Sequence, residues 1–183
     1  MLKRYFLRMR GAARKAARKS PAEIIWSWLG AFAGIWLVWV FNEFLGLPGT
    51  ANLYLIGSFG ASAVLLYGAP AAELSQPRNL IGGHAISAIV GVACALLCPP
   101  NVALASALAV STAIAAMHLT QTLHPPGGAT ALIAVIGGDS VRELGFTYAL
   151  SPVLSGAVVM LLVALLVNNL SSNEPRHYPK HWF

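Results

Sequence analysis

The chain has 183 residues, of which 57% are apolar and only 10% charged, against about 25% charged in an ordinary soluble domain. A soluble fold of this size could not hide so much apolar surface, so a bilayer is the natural solvent. The formal charge of +6 does not point to nucleic acid. Its bases crowd before Ser20 (Lys3, Arg4, Arg8, Arg10, Arg14, Lys15, Arg18, Lys19) and abut an apolar span, the pattern of an anchor that orients a protein in a membrane.

Residues 1–22 form a basic cytoplasmic or interfacial segment. Leu2, Phe6, Met9, Ala13 and Ala16 recur at helical spacing, which fits either an amphipathic surface helix or a disordered basic tail. Residues 23–171 read as a single transmembrane domain, and residues 172–183 as a cytoplasmic tail. The first apolar segment is too long for a secretory h-region and lacks an A-x-A cleavage site, so it reads as a retained span. The expected location is the inner (plasma) membrane, multi-pass, with the amino terminus cytoplasmic.

Five long apolar segments follow, at about 23–45, 51–69, 81–98, 102–119 and 150–170. A sixth, Pro125–Gly138, would reach only about 21 Å as a helix, short of a hydrocarbon core of about 30 Å. It must be tilted, extended by irregular chain or re-entrant. Breakers separate the segments: Leu47-Pro48-Gly49, Ala69-Pro70, Gln76-Pro77, Pro99-Pro100, Pro125-Pro126 and Gly137-Gly138. The predicted fold is therefore an all-α polytopic bundle of about five full spans plus one short or broken helix.

Gly60-Ala61-Ser62-Ala63-Val64-Leu65 is echoed by Gly128-Ala129-Thr130-Ala131-Leu132-Ile133, 68 residues on. Each copy sits in the middle segment of three. The echo predicts a 3+3 pseudo-repeat whose second half is inverted, a common plan of secondary transporters. Two rows of small residues also stand at every fourth position: Gly83, Ser87, Gly91, Ala95 and Ala103, Ala107, Ser111, Ala115. Each suits an internal helix seam or a subunit contact, and a homo-oligomer is expected.

The stretch His124-Pro125-Pro126-Gly127-Gly128-Ala129-Thr130 carries the most chemistry. Proline at a first helical turn wastes no amide hydrogen. Bare Gly127, Gly128 and Ala129 amides at a helix start in lipid would attract an anion without a charged side chain, and the Thr130 hydroxyl would add a donor. In the first half, Ser58, Gly60, Ala61 and Ser62 would form the facing helix start, with Ser58 as N-cap and Ser62 matching Thr130. His124, His84 and Arg78 are candidate proton-relay or gating residues; Arg78 would either draw anions to the cytoplasmic mouth or simply obey the charge rule for inner loops. His118 stands six residues before His124, on another face. No H-x-x-x-H pattern or acidic partner supports a metal, and no cofactor is expected. Cys94 and Cys98 share a helix face in an apolar stretch and read as buried thiols. Asn168-Asn169 would end the last helix at the headgroups, and Tyr178 and Trp182 would anchor at the interface.

His124-Pro125-Pro126-Gly127-Gly128-Ala129-Thr130-Ala131-Leu132 resembles the signature of the HPP family of membrane proteins. Gly57-Ser58-Phe59-Gly60-Ala61-Ser62-Ala63, Gln76-Pro77-Arg78-Asn79 with Gly82-Gly83-His84, Asn168-Asn169 and the tail from Arg176 to Trp182 resemble it too. The resemblance covers about residues 24–182. It implies four transmembrane helices, fewer than the segments counted above, and nitrite transport, with which plant and cyanobacterial members are associated. No appended regulatory domain of the kind that some relatives carry is expected after Phe183.

The resulting expectation is a transporter or channel for a small monovalent inorganic anion, nitrite on the family resemblance. The alternative is a non-transporting membrane scaffold or sensor subunit. A membrane enzyme is not expected, since no Ser-His-Asp set, carboxylate pair or metal motif stands out.

Overall fold

A computed structural model describes residues 2–9, 18–45 and 55–183. Ala13 and Ala16 of the amphipathic pattern and the Leu47-Pro48-Gly49 breaker lie outside them. The described chain is helical: α1 (Leu2–Arg8), α2 (Pro21–Leu45), α3 (Gly57–Ala63, continued as a π-helical turn over Val64–Gly68), α4 (Pro77–Leu97), α5 (Val102–Leu119), α6 (Pro125–Ile136), α7 (Asp139–Leu144) and α8 (Ser155–Asn169, entered through a kinked turn at Ala149–Leu154).

Among the described residues, four helical stretches are long and apolar enough to cross a membrane: Pro21–Phe44, Pro77–Leu97, Val102–Leu119 and Ala149–Asn169. The polytopic all-α bundle expected from the sequence is what forms, with one element redistributed. The segment 51–69, expected as a full span, contributes only the short α3, which begins at Gly57. Gly57, Ser58 and Gly60 are poor helix formers, and Ala69-Pro70 stops the helix at its other end. α6 has 12 residues, about 18 Å. Two broken helices therefore stand among four long ones.

Contacts along their lengths fix how these helices run. A methyl group on Gly83 would lie 2.5 Å from His124 Cβ, one on Gly127 2.6 Å from Ser87 Oγ, and one on Gly91 2.8 Å from Ala131 Cα. The order 83–124, 87–127, 91–131 makes α4 and α6 parallel neighbours. Phe59 packs on Gly156 and the Leu66 carbonyl accepts from Asn168 Nδ2, so α3 runs with α8. α8 ends where α4 begins, because Tyr178, bonded to Asn169, also donates to the Ser75 carbonyl at 2.9 Å. α3 and α6 accordingly point in opposite senses.

The two rows of small residues separate in the structure. Gly83, Ser87 and Gly91 are buried in the α4–α6 seam, while Ala103, Ala107, Ser111 and Ala115 all face outward. The face of α5 turned to the core is instead Ala105, Ala109 and Ala113, packed with Ala131, Val135, Cys94 and Cys98. Cys94 and Cys98 are half-buried free thiols.

A helix that stops inside a bundle leaves carbonyls that need donors. The end of α3 meets that need with side chains distant in sequence. The Leu65 carbonyl accepts from Ser75 Oγ at 3.2 Å, Leu66 from Asn168 Nδ2 at 3.0 Å, and Tyr67 from Arg176 Nη2 at 2.7 Å. The segment after it is held in the same manner. Gln76 Nε2 donates to the Pro70 and Ala72 carbonyls, and its Oε1 accepts from the Lys180 amide. Residues 171–181 fold back as a strap over this end of the bundle. Asn168 and Asn169 thus bond protein rather than headgroups. Tyr178 is buried, not an interfacial anchor, and burial pushes its phenol above the ordinary range, which preserves it as a donor. Trp182 remains half exposed.

Candidate functional site

The histidine segment enters α6 in extended conformation. His124 is the N-cap residue, with φ −137° and ψ 108°, and Pro125 and Pro126 open the helix. Neither proline has an amide hydrogen, and the Gly127 amide donates to the His124 carbonyl at 2.8 Å. The expected cradle of bare amides is therefore reduced at its first three positions. The remaining residues divide between two faces. His124, Pro126, Gly127 and Thr130 turn into the bundle and are buried. Pro125 is exposed, and Gly128 and Ala129 are half-buried. These last three line an apolar groove of about 560 Å³ together with Val110, Ile114, Met117, His118, Leu123 and Leu132.

α3 divides in the same way. Ser58 and Ser62 are buried, Gly60 and Ala61 exposed. Ser58 is not the N-cap. Ile56 occupies that position without a side-chain cap, and Ser58 Oγ, one residue into the helix, is buried with no hydrogen-bond partner.

The inward faces meet at His84, seven residues into α4 and so about 10 Å along it. Ser62 Oγ lies 2.8 Å from His84 Nε2 and 2.8 Å from His124 Nε2. Thr130 Oγ1 lies 2.8 Å from His84 Nδ1 and 3.3 Å from the Pro126 carbonyl. His124 Nδ1 donates to the Leu74 carbonyl at 2.8 Å. All four side chains have zero exposure. The imidazole centroids are 5.0 Å apart at 61°, and Phe59 closes one side, its ring 5.5 Å from His84. Tyr148 donates to the Thr130 carbonyl at 3.2 Å.

Each ring nitrogen and hydroxyl of this four-residue cluster has a hydrogen-bond partner, as burial demands. Ser62 is the shared vertex. A hydroxyl donates once and accepts through its lone pairs, so it can take a hydrogen bond from one imidazole and give one to the other. The cluster joins the two broken helices through a third element: Ser62 of α3 and Thr130 of α6, partners in the 68-residue echo, hold opposite nitrogens of one ring.

Of the sequence candidates, the structure brings together Ser62, His84, His124 and Thr130. Arg78 stays apart, with Nη2 donating to the Thr120 carbonyl at 2.8 Å where α5 ends. His118 is exposed. The pairing of His84 with Ser62, and the parts of the Leu74 carbonyl and Tyr148, were not foreseen. The echo was the one signal that could have found the first, since it already aligned Ser62 with Thr130. Among the described residues no group of three His, Cys, Asp or Glu side chains could hold a metal.

The family model for the HPP transmembrane region matches residues 16–179. The chain belongs to the HPP family. This HPP chain is 46% identical over 182 residues to one transmembrane protein of Dictyostelium discoideum and 45% identical over 184 residues to another. Each alignment covers 98% of the chain but only 57% and 63% of the relative. The chain thus spans about three-fifths of the length of these two proteins. No solved structure matches it. His124 and Thr130, the two ends of the segment that carries the family resemblance, and Ser62, the echo of Thr130, are the residues that meet at His84.

Proposed function

We propose that this HPP protein is a membrane transporter or channel for a small monovalent anion, with nitrite as the first solute to test. The observation that carries the reading is the meeting of two broken, oppositely directed helices at one buried cluster of hydroxyls and imidazoles. Secondary transporters commonly bind their solute where discontinuous helices of inverted repeats face each other, and ionisable residues such as histidine within membrane segments commonly mark solute or proton paths. The echo of Ser62 in Thr130 supports an inverted repeat.

In the packed arrangement the cluster bonds to itself, which is a closed state. A small anion would bind by taking the place of one internal hydrogen bond, accepting from the Ser62 and Thr130 hydroxyls and an imidazole N–H. The Gly128 amide, on the groove side of α6, is a further donor for an approaching anion. The basic amino-terminal segment supports an orientation with that end in the cytoplasm of a cell with an inner membrane. The outward row Ala103, Ala107, Ser111 and Ala115 supports a homo-oligomer.

Purified protein in liposomes is expected to take up nitrite faster than protein-free liposomes, which also score the passive leak of the undissociated acid. Ser62→Ala and Thr130→Val should each lower the protein-dependent rate about tenfold or more, the order of one lost charge-assisted hydrogen bond. Equal flux with and without protein overturns the reading for nitrite. Repeating the assay with nitrate, formate, chloride and bicarbonate tests the wider class.

A further inference from the structure

We propose that Thr130, His84, Ser62 and His124 form a proton relay, so that a proton is the second substrate of this protein. The relay rests on the transport reading for its use, but not for its geometry.

The hydrogen-bond directions follow from one fixed point. The Leu74 carbonyl can only accept, so His124 Nδ1 carries a hydrogen. With both rings neutral, His124 Nε2 must then accept, and Ser62 is its donor. Ser62 Oγ is left to accept from His84 Nε2–H. His84 Nδ1 is consequently bare and accepts from the Thr130 hydroxyl. No other neutral arrangement makes all four of these 2.8 Å hydrogen bonds at once.

One added proton also has matched arrangements, and there are two. In both, His84 Nδ1 is protonated and donates to Thr130 Oγ1, whose hydrogen turns to the Pro126 carbonyl at 3.3 Å. In the first, His84 is the imidazolium, donating to Ser62, which donates to His124. In the second, the hydrogen on His84 Nε2 has passed to Ser62 Oγ while the Ser62 hydrogen has passed to His124 Nε2. The N–H bond of His84 and the O–H bond of Ser62 break as a new O–H and a new N–H form, and the positive charge moves from α4 to the start of α6. Hydronium, or the protonated acid form of the anion, supplies the proton. Water receives it when the cluster opens.

The surroundings leave this charge to the relay itself. Phe59 of α3 stands edge-on to the His84 ring, and Met117 of α5 lies against Gly83 and Gly127 beside the cluster. Tyr148 is engaged with the Thr130 carbonyl and Tyr67 with the Met160 carbonyl. Arg78 is turned to Thr120, and Glu73, beside Leu74, is exposed. Among the described residues no carboxylate hydrogen-bonds either imidazole.

Two measurements test the relay. Nitrogen-15 spectra of histidine-labelled protein in lipid nanodiscs should place the neutral hydrogens on His84 Nε2 and His124 Nδ1. On acidification His84 Nδ1 should gain a hydrogen, with both rings changing together. In Ser62→Ala the rings should change separately, and Ser62→Thr, which keeps the hydroxyl, should restore the joint response. A different neutral pair, or independent change in the unmodified chain, overturns the relay.

The second measurement follows internal pH in liposomes during nitrite entry with the voltage clamped. Proton entry should accompany nitrite entry and fall at least tenfold in Ser62→Ala. Nitrite uptake without proton entry overturns the relay and leaves the transport reading standing. No uptake at all overturns the transport reading for nitrite, and the spectra then decide the relay alone.

Discussion

Arg176 donates to Glu23 at 3.2 Å, joining the carboxyl-terminal strap to the first turn of α2 across almost the whole sequence. The same guanidinium reaches Ser27 Oγ at 3.3 Å and the Tyr67 carbonyl at 2.7 Å. One side chain therefore ties α2, the end of α3 and the tail. Asn173 adds a second bond to Glu23 at 2.9 Å.

Replacing Arg176 by Ala should cost about 2–3 kcal/mol, because it removes a charge-assisted hydrogen bond and leaves the Tyr67 carbonyl without its donor. Glu23 keeps Asn173 and some exposure to solvent, which limits the loss. Lysine should not rescue it, since a single ammonium cannot serve three acceptors set by a planar fork. Thermal unfolding in detergent measures the change.

The adjacent glycines of the signature should behave in opposite ways. A methyl group at Gly127 would stand 2.6 Å from Ser87 Oγ and 2.9 Å from the Gly83 carbonyl, whereas at Gly128 the nearest atom is Val110 Cγ1 at 3.9 Å. Gly127→Ala should destabilise by about 1–3 kcal/mol through overpacking. Gly128→Ala should be neutral or stabilising by up to about 1 kcal/mol, since alanine is the better helix former. A bulky residue at Gly128 should fold yet slow nitrite uptake if the groove face is used. Stability and flux measured on the same preparations separate these effects.

Tyr67 offers a test of how the broken helix is held. Its ring occupies the space left by Gly30 and Gly34 of α2, and its hydroxyl donates to the Met160 carbonyl at 3.0 Å. Tyr67→Phe keeps the packing and should lose only about 1 kcal/mol. Gly30→Ala would put a methyl group 2.7 Å from the ring and should cost more. The order of the two unfolding temperatures is the check.

The outward alanine row gives a prediction about assembly. Ala107→Ile should leave monomer stability within about 0.5 kcal/mol, as a change on an unpacked face. If copies associate through this face, it should weaken cross-linking in liposomes. An isoleucine at Gly91, in the buried seam, should instead unfold the chain.

The sequence alone determined the solvent, and with it the class of fold. Uncharged apolar runs of about 20 residues admit few structures besides membrane helices, and prolines such as Pro77 and Pro125 marked where helices begin. It also exposed the likeness of Ser62 to Thr130 and the family signature, because these are matters of residue order. It did not reveal that 51–69 would yield only a short helix. That depends on Ser75, Asn168 and Arg176 arriving to serve its last carbonyls, and hydropathy does not register such donors. Nor did it show which face of each glycine-rich start would turn inward. Tertiary packing decided that, by seating Gly127 against Ser87 and His124 against Gly83. Spacing along a chain fixes neighbours on one helix, but a relay across α3, α4 and α6 exists only when three helices bring single atoms to within 3 Å.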